Sequence, residues 1–439
     1  MRRSGLNANT QSVKPVRVYI NGAYYGDFNM REPNNKHFAY ANYGIDTDLM
    51  DHFEMSPDSG YVQKEGTKDA WNTLIAKSYN AANSDTYKEI GQLLDIDGYI
   101  NYMAIELFLG NWDWPQNNVK AFRDIDNGKF NFVIFDLDGS FGGADLNTFK
   151  NKKNYTFDPL RGEDPFGRWT WNDRMKGEIE FVTLFENMVK NADFRRRFAD
   201  ALCVIGGSVF TPDNVYEVAN SLYQQVKDGD PSWLRNNCNG RQATVAQCLT
   251  GGAYDFGVST QQKFNASLSS NLNGSDIYVN YMAVPMGKFS GTLYRPVTVT
   301  AVAPAGYRFL GWKDTEGGSY TTKTVFSKQS VWSYYNQTGG LDGVNWKNAA
   351  YAKNWPTGKS PIGYDKAENP KGLNTWFSTE KLPTYYVCKT FNIDKVSAND
   401  CFVLDYVVDD AMVVYINGQE AGRYNLPSGT ISYNTYSTT

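Results

Sequence analysis

Two short acidic motifs bracket one β-hairpin, and together they leave little freedom in how the chain around them can be arranged. Asp113-Trp-Pro-Gln-Asn-Asn118 comes first and Asp136-Leu-Asp138-Gly-Ser-Phe-Gly142 second. Between them, Val119-Lys-Ala-Phe-Arg-Asp-Ile125 and Lys129-Phe-Asn-Phe-Val-Ile-Phe135 partly alternate apolar and polar residues around Asn127-Gly128, the strongest short hairpin signal. A hairpin brings the residues before its first strand beside those after its second. Asp113 and Asn118 on a loop and Asp136 at a strand end therefore gather at one mouth, an oxygen-rich site suited to a hard cation and a phosphate. An Asp-x-Asp at a strand end also caps turns or binds structural calcium, so the spacing leaves that reading open.

Protein kinases use the same order of parts. There an Asp accepts the proton of the attacking hydroxyl, and an Asn five residues on and a later Asp hold the metal ions that bridge the nucleotide phosphates. The flanking residues carry a closer resemblance. Val18-Tyr-Ile-Asn-Gly-Ala-Tyr-Tyr-Gly-Asp-Phe-Asn-Met-Arg-Glu32 is similar to the Tyr-x-Asn-Gly-x-Tyr-x-Gly-x-Tyr-x-x-x-Glu hairpin of the CotH family, the spore-coat CotH-like atypical protein kinases. Asn111 to Arg123 resembles that family's Asn-x-Asp-Trp-Pro-x-Asn-Asn-x-Lys-x-x-Arg segment, and Asp136 to Gly142 its Asp-x-Asp-x-x-Phe-Gly signature. The likeness covers residues 14 to 265.

The resemblance implies metal-dependent transfer of phosphate from ATP, with Mg²⁺ or Mn²⁺, to Ser or Thr hydroxyls of a protein phosphoacceptor. It makes Asp113 the catalytic-loop aspartate and Asn118 and Asp136 metal ligands, with Asp138 as a further ligand or a support behind them. Glu32 is the family's glutamate. Arg31 and Lys36, close by in sequence, are the candidate cations beside the nucleotide, as is Arg17, and each also suits a surface salt bridge. The family carries a long small lobe before its Tyr-x-Asn-Gly hairpin, which here begins near Met1. An N-terminal truncation is therefore expected, taking any export signal with it: Met1-Arg-Arg-Ser-Gly-Leu-Asn has no apolar core. The family implies a secreted or cell-surface bacterial protein.

Further along, residues 66–109 read as helices, with Ile96, Ile100, Met103 and Leu107 on one buried stripe, Asp95 or Asp97 as N-cap and Gly110 as the stop. Residues 178–205 read as helical, with Arg195, Arg196 and Arg197 mostly on a solvated face and one of them a candidate to reach a core carboxylate, and Pro212 to Val226 as another amphipathic helix. The expected architecture is α+β: an atypical protein-kinase-like domain over residues 1–265, then small all-β domains. The first, residues 266–324, resembles an internalin B-type repeat closing on Tyr307, Phe309 and Trp312 as its own core. The second, residues 325–439, looks like a galactose-binding-type jelly roll (a β-sandwich) short of its last strands, with a hairpin at Asn417-Gly418. Thr357-Gly-Lys-Ser360 echoes a P-loop, but Lys353 stands where a glycine is required and Pro361 where a helix should start, so it reads as a loop.

Composition removes several alternatives. Only His37 and His52 are available to His-dependent hydrolases, neither in a nucleophile motif, and a His-rich zinc site is excluded by count. A net charge of −4 points to no nucleic acid, and no apolar run is long enough for a membrane span. Five cysteines form no Cys-x-x-Cys, and Cys238 and Cys248 are placed to form a disulfide in an oxidising compartment. The competing function is a catalytically silent surface adhesin or glycan-binding scaffold, using the rings of the C-terminal β domains. A carboxylate-pair glycosidase is weaker, because Asp136 and Asp138 stand too close together, though Asp113 could be the distant partner.

Overall fold

The computed structural model describes residues 6–56, 60–111, 114–115, 117–126, 128–142, 180–226, 229–251, 255–313, 323–348, 350–365, 369, 372–377, 381–396, 402–427 and 430–437. The fold is mixed α+β, and the chain divides into two compact units, Met1–Ala301 and Val302–Thr439.

The first unit opens with β1 (Asn9–Thr10) and a two-stranded ribbon, β2 (Val13–Ile20) and β3 (Ala23–Arg31). Asn21 and Gly22 turn the ribbon with φ of 52° and 83°, the backbone that the Asn-Gly pair adopts most readily. Helix α1 (Lys36–Tyr43) follows, capped by the Asn35 side chain and ended by left-handed Gly44. Next come β4 (Met50–Ser56), β5 (Gly60–Glu65), and helices α2 (Asp69–Ser78), α3 (Ser84–Leu93) and α4 (Ile96–Leu109). Strands β6 (Val119–Asp124) and β7 (Asn131–Ile134) complete a five-stranded sheet in the order β1-β7-β6-β4-β5. All its pairings are antiparallel except β1 with β7.

Alternation along these strands gives the sheet two buried faces. On one, Phe122, Met50 and Val133 pack with Phe38 and Ala39 of α1. On the other, Phe53 meets Trp71 of α2 at 4.7 Å, and Phe132 meets Tyr99 and Tyr102 of α4 at 5.2 Å each. Helix α4 therefore lies between sheet and further helices, and the single stripe expected from its sequence is too narrow. Ile96 and Tyr99 to Leu109 are all buried, Asn101 and Glu106 included. Gly110 ends the helix at φ 64°, whereas Asp95 occupies the N-cap without a capping side-chain bond.

The β6–β7 hairpin forms, but with a wider loop than a two-residue turn at Asn127-Gly128. Asn127 lies outside the described residues. The last β6–β7 pair is Phe122 with Asn131, β6 runs on to Asp124, and the loop is closed by Gly128 N donating to Asp124 O at 3.0 Å and Asp126 N to Asp124 Oδ1 at 2.9 Å.

The helical stretch expected at 178–205 is two helices, α5 (Glu180–Val189) and α6 (Ala192–Val204). Asn191 breaks it, its side chain accepting from the amides of Asp193 and Phe194. The arginines are not a solvated face. Arg197 is buried and paired with Asp97 and Asp193, and Arg196 pairs with buried Asp200 at 3.1 Å. A π-helical turn (Ile205–Val209), α7 (Pro212–Val226), α8 (Ser232–Cys238) and α9 (Arg241–Gly251) follow. Cys238 and Cys248 are not joined in a disulfide; Cys238 Sγ donates to Phe210 O at 2.7 Å.

Strands β8 (Lys263–Ser269), β9 (Asp276–Val279), β10 (Met282–Ala283), β11 (Lys288–Tyr294) and β12 (Val299–Val302) form two small sheets, β11-β8 and β10-β9-β12. They dock on the helices: Arg196 Nη2 donates to Tyr294 O at 2.7 Å, and Asn280 Nδ2 to Asp200 Oδ2 at 2.6 Å. Gly207 lacks a side chain where Phe289 lies against the π-helical turn, and a Cβ there would collide with that ring.

The segment 303–313 carries no strand. Phe309 and Trp312 touch at 5.3 Å, but Tyr307 is 65% exposed and so is not part of a core. The second unit holds β13 (Val331–Tyr335), β14 (Thr357–Lys359), β15 (Ile362–Tyr364), β16 (Thr375–Phe377), β17 (Tyr386–Cys388), β18 (Met412–Ile416) and β19 (Gln419–Tyr424). Leu341, Tyr386 and Tyr433 form its core. Asn417-Gly418 turns β18 into β19 as expected, while Thr357-Gly-Lys359 is a strand rather than a loop. Among the described residues no helix is long and apolar enough to cross a membrane.

Candidate active site

Helix α4 delivers the chain to the hairpin mouth and pins it on both sides of residues 112 and 113. Asp113 itself lies outside the described residues. Before it, Asn111 Nδ2 donates to Glu106 Oε2 at 3.0 Å. After it, Trp114, 1% exposed, donates its Nε1 to Tyr102 OH at 2.8 Å. Both acceptors project from α4, so Asn111 and Trp114 are each tied to one rigid helix by a buried side-chain bond.

The hairpin register then brings Asn118 to within one residue of level with Asp136. Ala121 pairs with Phe132 and Phe122 with Asn131. Continued outward, the same register puts Val119 beside Ile134 and Asn118 level with Phe135, the residue before Asp136. Asn118 is 5% exposed, Asp136 is half-buried, and both have left-handed backbone, with φ of 58° and 53°. Asn and Asp tolerate this conformation better than other side chains. Its occurrence at both ends of the hairpin marks a locally strained mouth of the kind that functional sites retain. Asp138 is exposed in the 3₁₀ turn Leu137–Gly142 that follows.

The amide oxygen of Asn118 and the carboxylate of Asp136 are hard donors that fit Mg²⁺ or Mn²⁺, which take one or two protein oxygens and complete their shell with water and phosphate. Among the described residues no three His, Cys, Asp or Glu side chains converge.

The three residues set beside the nucleotide do not form one group. Glu32, at the end of the ribbon, accepts from Ser12 N at 3.1 Å and Asn42 Nδ2 at 2.7 Å. Arg31 is exposed at the end of β3, and Lys36 pairs with Glu65 at 3.2 Å. What the sequence reading passed over is Lys120, on β6 two residues after Asn118. Its Nζ lies 3.2 Å from Glu54 Oε2 and 3.0 Å from Asn34 Oδ1, with Lys64 Nζ on the other Glu54 oxygen at 2.5 Å. Burial pushes the Glu54 carboxyl up, but the bonds from Lys64 and Lys120 outweigh it and hold it below its ordinary value. His52, stacked on Phe122 at 4.3 Å, is lowered to about 4, first by burial and then by Lys120. The lysine of the Asn-x-Lys-x-x-Arg segment was visible in sequence, but its carboxylate partner stands on another strand and no local signal joins them.

Fold and site together define a kinase-like α+β protein built around a hairpin with hard oxygen donors at its open end. The chain belongs to the CotH family: the family described as CotH kinase protein matches residues 3–238. Invasin CotH3 of Rhizopus delemar is 25% identical over 241 residues, 48% of this chain and 38% of that protein. Inner spore coat protein H of Bacillus subtilis is 22% identical over 190 residues, 43% of this chain and 47% of that protein. Invasin CotH2 of Rhizopus delemar is 25% identical over 285 residues, 55% of this chain and 46% of that protein. The chain thus spans less than half the length of each of these relatives.

Proposed function

We propose that this chain is a metal-dependent protein kinase that transfers the γ-phosphoryl group of ATP to a Ser or Thr hydroxyl of another protein. The observation that carries it is the placement of Asn118 and Asp136, both left-handed, on the two sides of the open end of the β6–β7 hairpin, one residue out of level with each other. These two residues would hold Mg²⁺ or Mn²⁺, which when bound neutralises charge on the phosphate chain. Asp113 accepts the proton as the hydroxyl oxygen bonds to the γ-phosphorus and the bond to the ADP oxygen breaks. Glu106 and Tyr102 hold the ends of its loop, so that positioning contributes to the rate along with charge. The names of the relatives, a spore coat protein and two invasins, support a secreted or cell-surface setting for this chain as well.

A second reading, a catalytically silent surface adhesin or glycan-binding protein, is favoured by the exposed rings of Tyr19, Tyr24, Tyr25 and Phe28 on the β2–β3 ribbon. Labelled γ-phosphate incorporation separates the two. The wild-type chain is compared with Asp113→Ala and Asp136→Ala in Mg²⁺ and in Mn²⁺. Incorporation lost in both variants supports the kinase; a folded wild type that neither binds ATP nor transfers phosphate leaves the adhesin.

A further inference from the structure

Beside the hairpin mouth, strands β4 and β6 gather lysine ammonium groups around a shared carboxylate. Glu54 and Lys120 are direct partners in the β4–β6 register. Glu54 serves two ammonium groups, Lys120 at 3.2 Å and Lys64 at 2.5 Å, while Glu65 serves Lys36 at 3.2 Å. Among the described residues Glu54 is thus shared by two lysines, and His52 on the same strand is mainly neutral at physiological pH. The Lys120 side chain is only 18% exposed, and because its partner Glu54 is shared with Lys64, an anion brought to it would gain from the charge that Glu54 leaves over.

The position of Lys120 says which anion. It follows Asn118 by two residues, and its Nζ lies 5.1 Å from the centre of the Phe135 ring, the residue directly before Asp136. Asn118 is thus its close neighbour along the chain, and Asp136 follows the residue whose ring its ammonium group approaches. We propose that Lys120 is the lysine that binds the phosphate chain of the nucleotide. Glu54 and Asn34 hold its side chain in place, and Lys64 occupies the other Glu54 oxygen so that the carboxylate does not cancel the charge Lys120 presents. The ligand class is a nucleoside triphosphate or diphosphate with its metal. The assignment rests on the phosphotransfer reading and supplies the phosphate-binding lysine, which would come from the strand after the catalytic loop rather than from a segment before it.

An acyl-phosphate derivative of ATP, which acylates lysines beside the phosphate chain, tests this on the unaltered full chain, with modified residues mapped by mass spectrometry. The expected result is acylation of Lys120, suppressed by excess ATP or ADP. Direct ATP binding should in turn weaken about tenfold or more in Lys120→Met. Acylation at other lysines with Lys120 untouched, in a chain that still binds ATP, overturns the assignment and leaves the phosphotransfer reading standing. A wild-type chain that binds no ATP overturns both. Because the acylation needs no variant, a Lys120→Met protein that fails to fold does not blunt the test.

Discussion

Glu106 and Asn111 close a buried ring at the C-terminus of α4. Asn111 Nδ2 donates to Glu106 Oε2 at 3.0 Å, while the amides of Gly110 and Asn111 donate to the Glu106 carbonyl at 2.9 and 3.3 Å. Glu106 has no exposed surface, and burial outweighs the Asn111 bond to push its carboxyl up to about 8. At neutral pH it is mainly the neutral acid, and the loop leading to Asp113 hangs from it.

That state has a pH signature. The folded value of about 8 stands above the ordinary 4.5, so the folded chain binds the extra proton between them. The stability this group lends is fully present below the ordinary value and is lost as pH rises through the folded one. Glu106→Gln, neutral throughout, should flatten the decline in Tm between about pH 5 and 9. Glu106→Leu should cost about 1–3 kcal/mol at neutral pH by removing the buried acceptor of the Asn111 amide. Thermal melts across pH check both.

His52 should impose the opposite slope. Its folded value of about 4 stands below the ordinary 6.5, so the unfolded chain takes up the proton first and stability falls as pH drops from 6.5 toward 4. His52 Nε2 is buried without a partner among the described residues, and the ring stacks on Phe122. His52→Phe should keep the stacking, gain about 1 kcal/mol at neutral pH by removing the unpaired nitrogen, and gain more in acid. Denaturant melts at pH 5 and 7 read the difference.

Arg197 ties α6 to α4 through Asp97 and also lies over the Tyr281 ring at 4.9 Å. Its side chain is buried, while Asp97 and Asp193 remain 41% and 50% exposed and can be rehydrated. Arg197→Met should therefore cost about 2–4 kcal/mol, toward the lower end for breaking a buried pair. Equilibrium unfolding in urea measures it.

The left-handed backbone at Asn118 separates strain from chemistry. Asn118→Gly relaxes the φ of 58° and removes the oxygen, whereas Asn118→Val removes the oxygen and adds strain. The Val variant should be less stable than the Gly variant by about 1–2 kcal/mol, with phosphate transfer reduced in both. Parallel melts and transfer assays distinguish the two effects.

How much of this was legible beforehand depended on range. Asn21-Gly22 and Asn417-Gly418 were readable as turns because a φ above zero is a property of those residues themselves. The stop at Gly110 was readable for the same reason, and the hairpin linking Asn118 to Asp136 followed from alternation on either side of it. The break at Asn191 also carried a local signal, an Asn ahead of an acidic first turn, which the apolar run across it obscured.

The chain's own order of residues settled which side chains could meet at the hairpin mouth, because a two-strand register links positions on either side of one short loop. It did not settle which cation stands there. Glu54 and Lys120 are brought together only when β4 lies against β6, and Arg197 changes from a surface charge to a buried one only when α6 packs on α4. Dihedral preference is a near-neighbour property, whereas burial and ion pairing depend on segments distant in sequence, so those assignments waited for the packed sheet and helices.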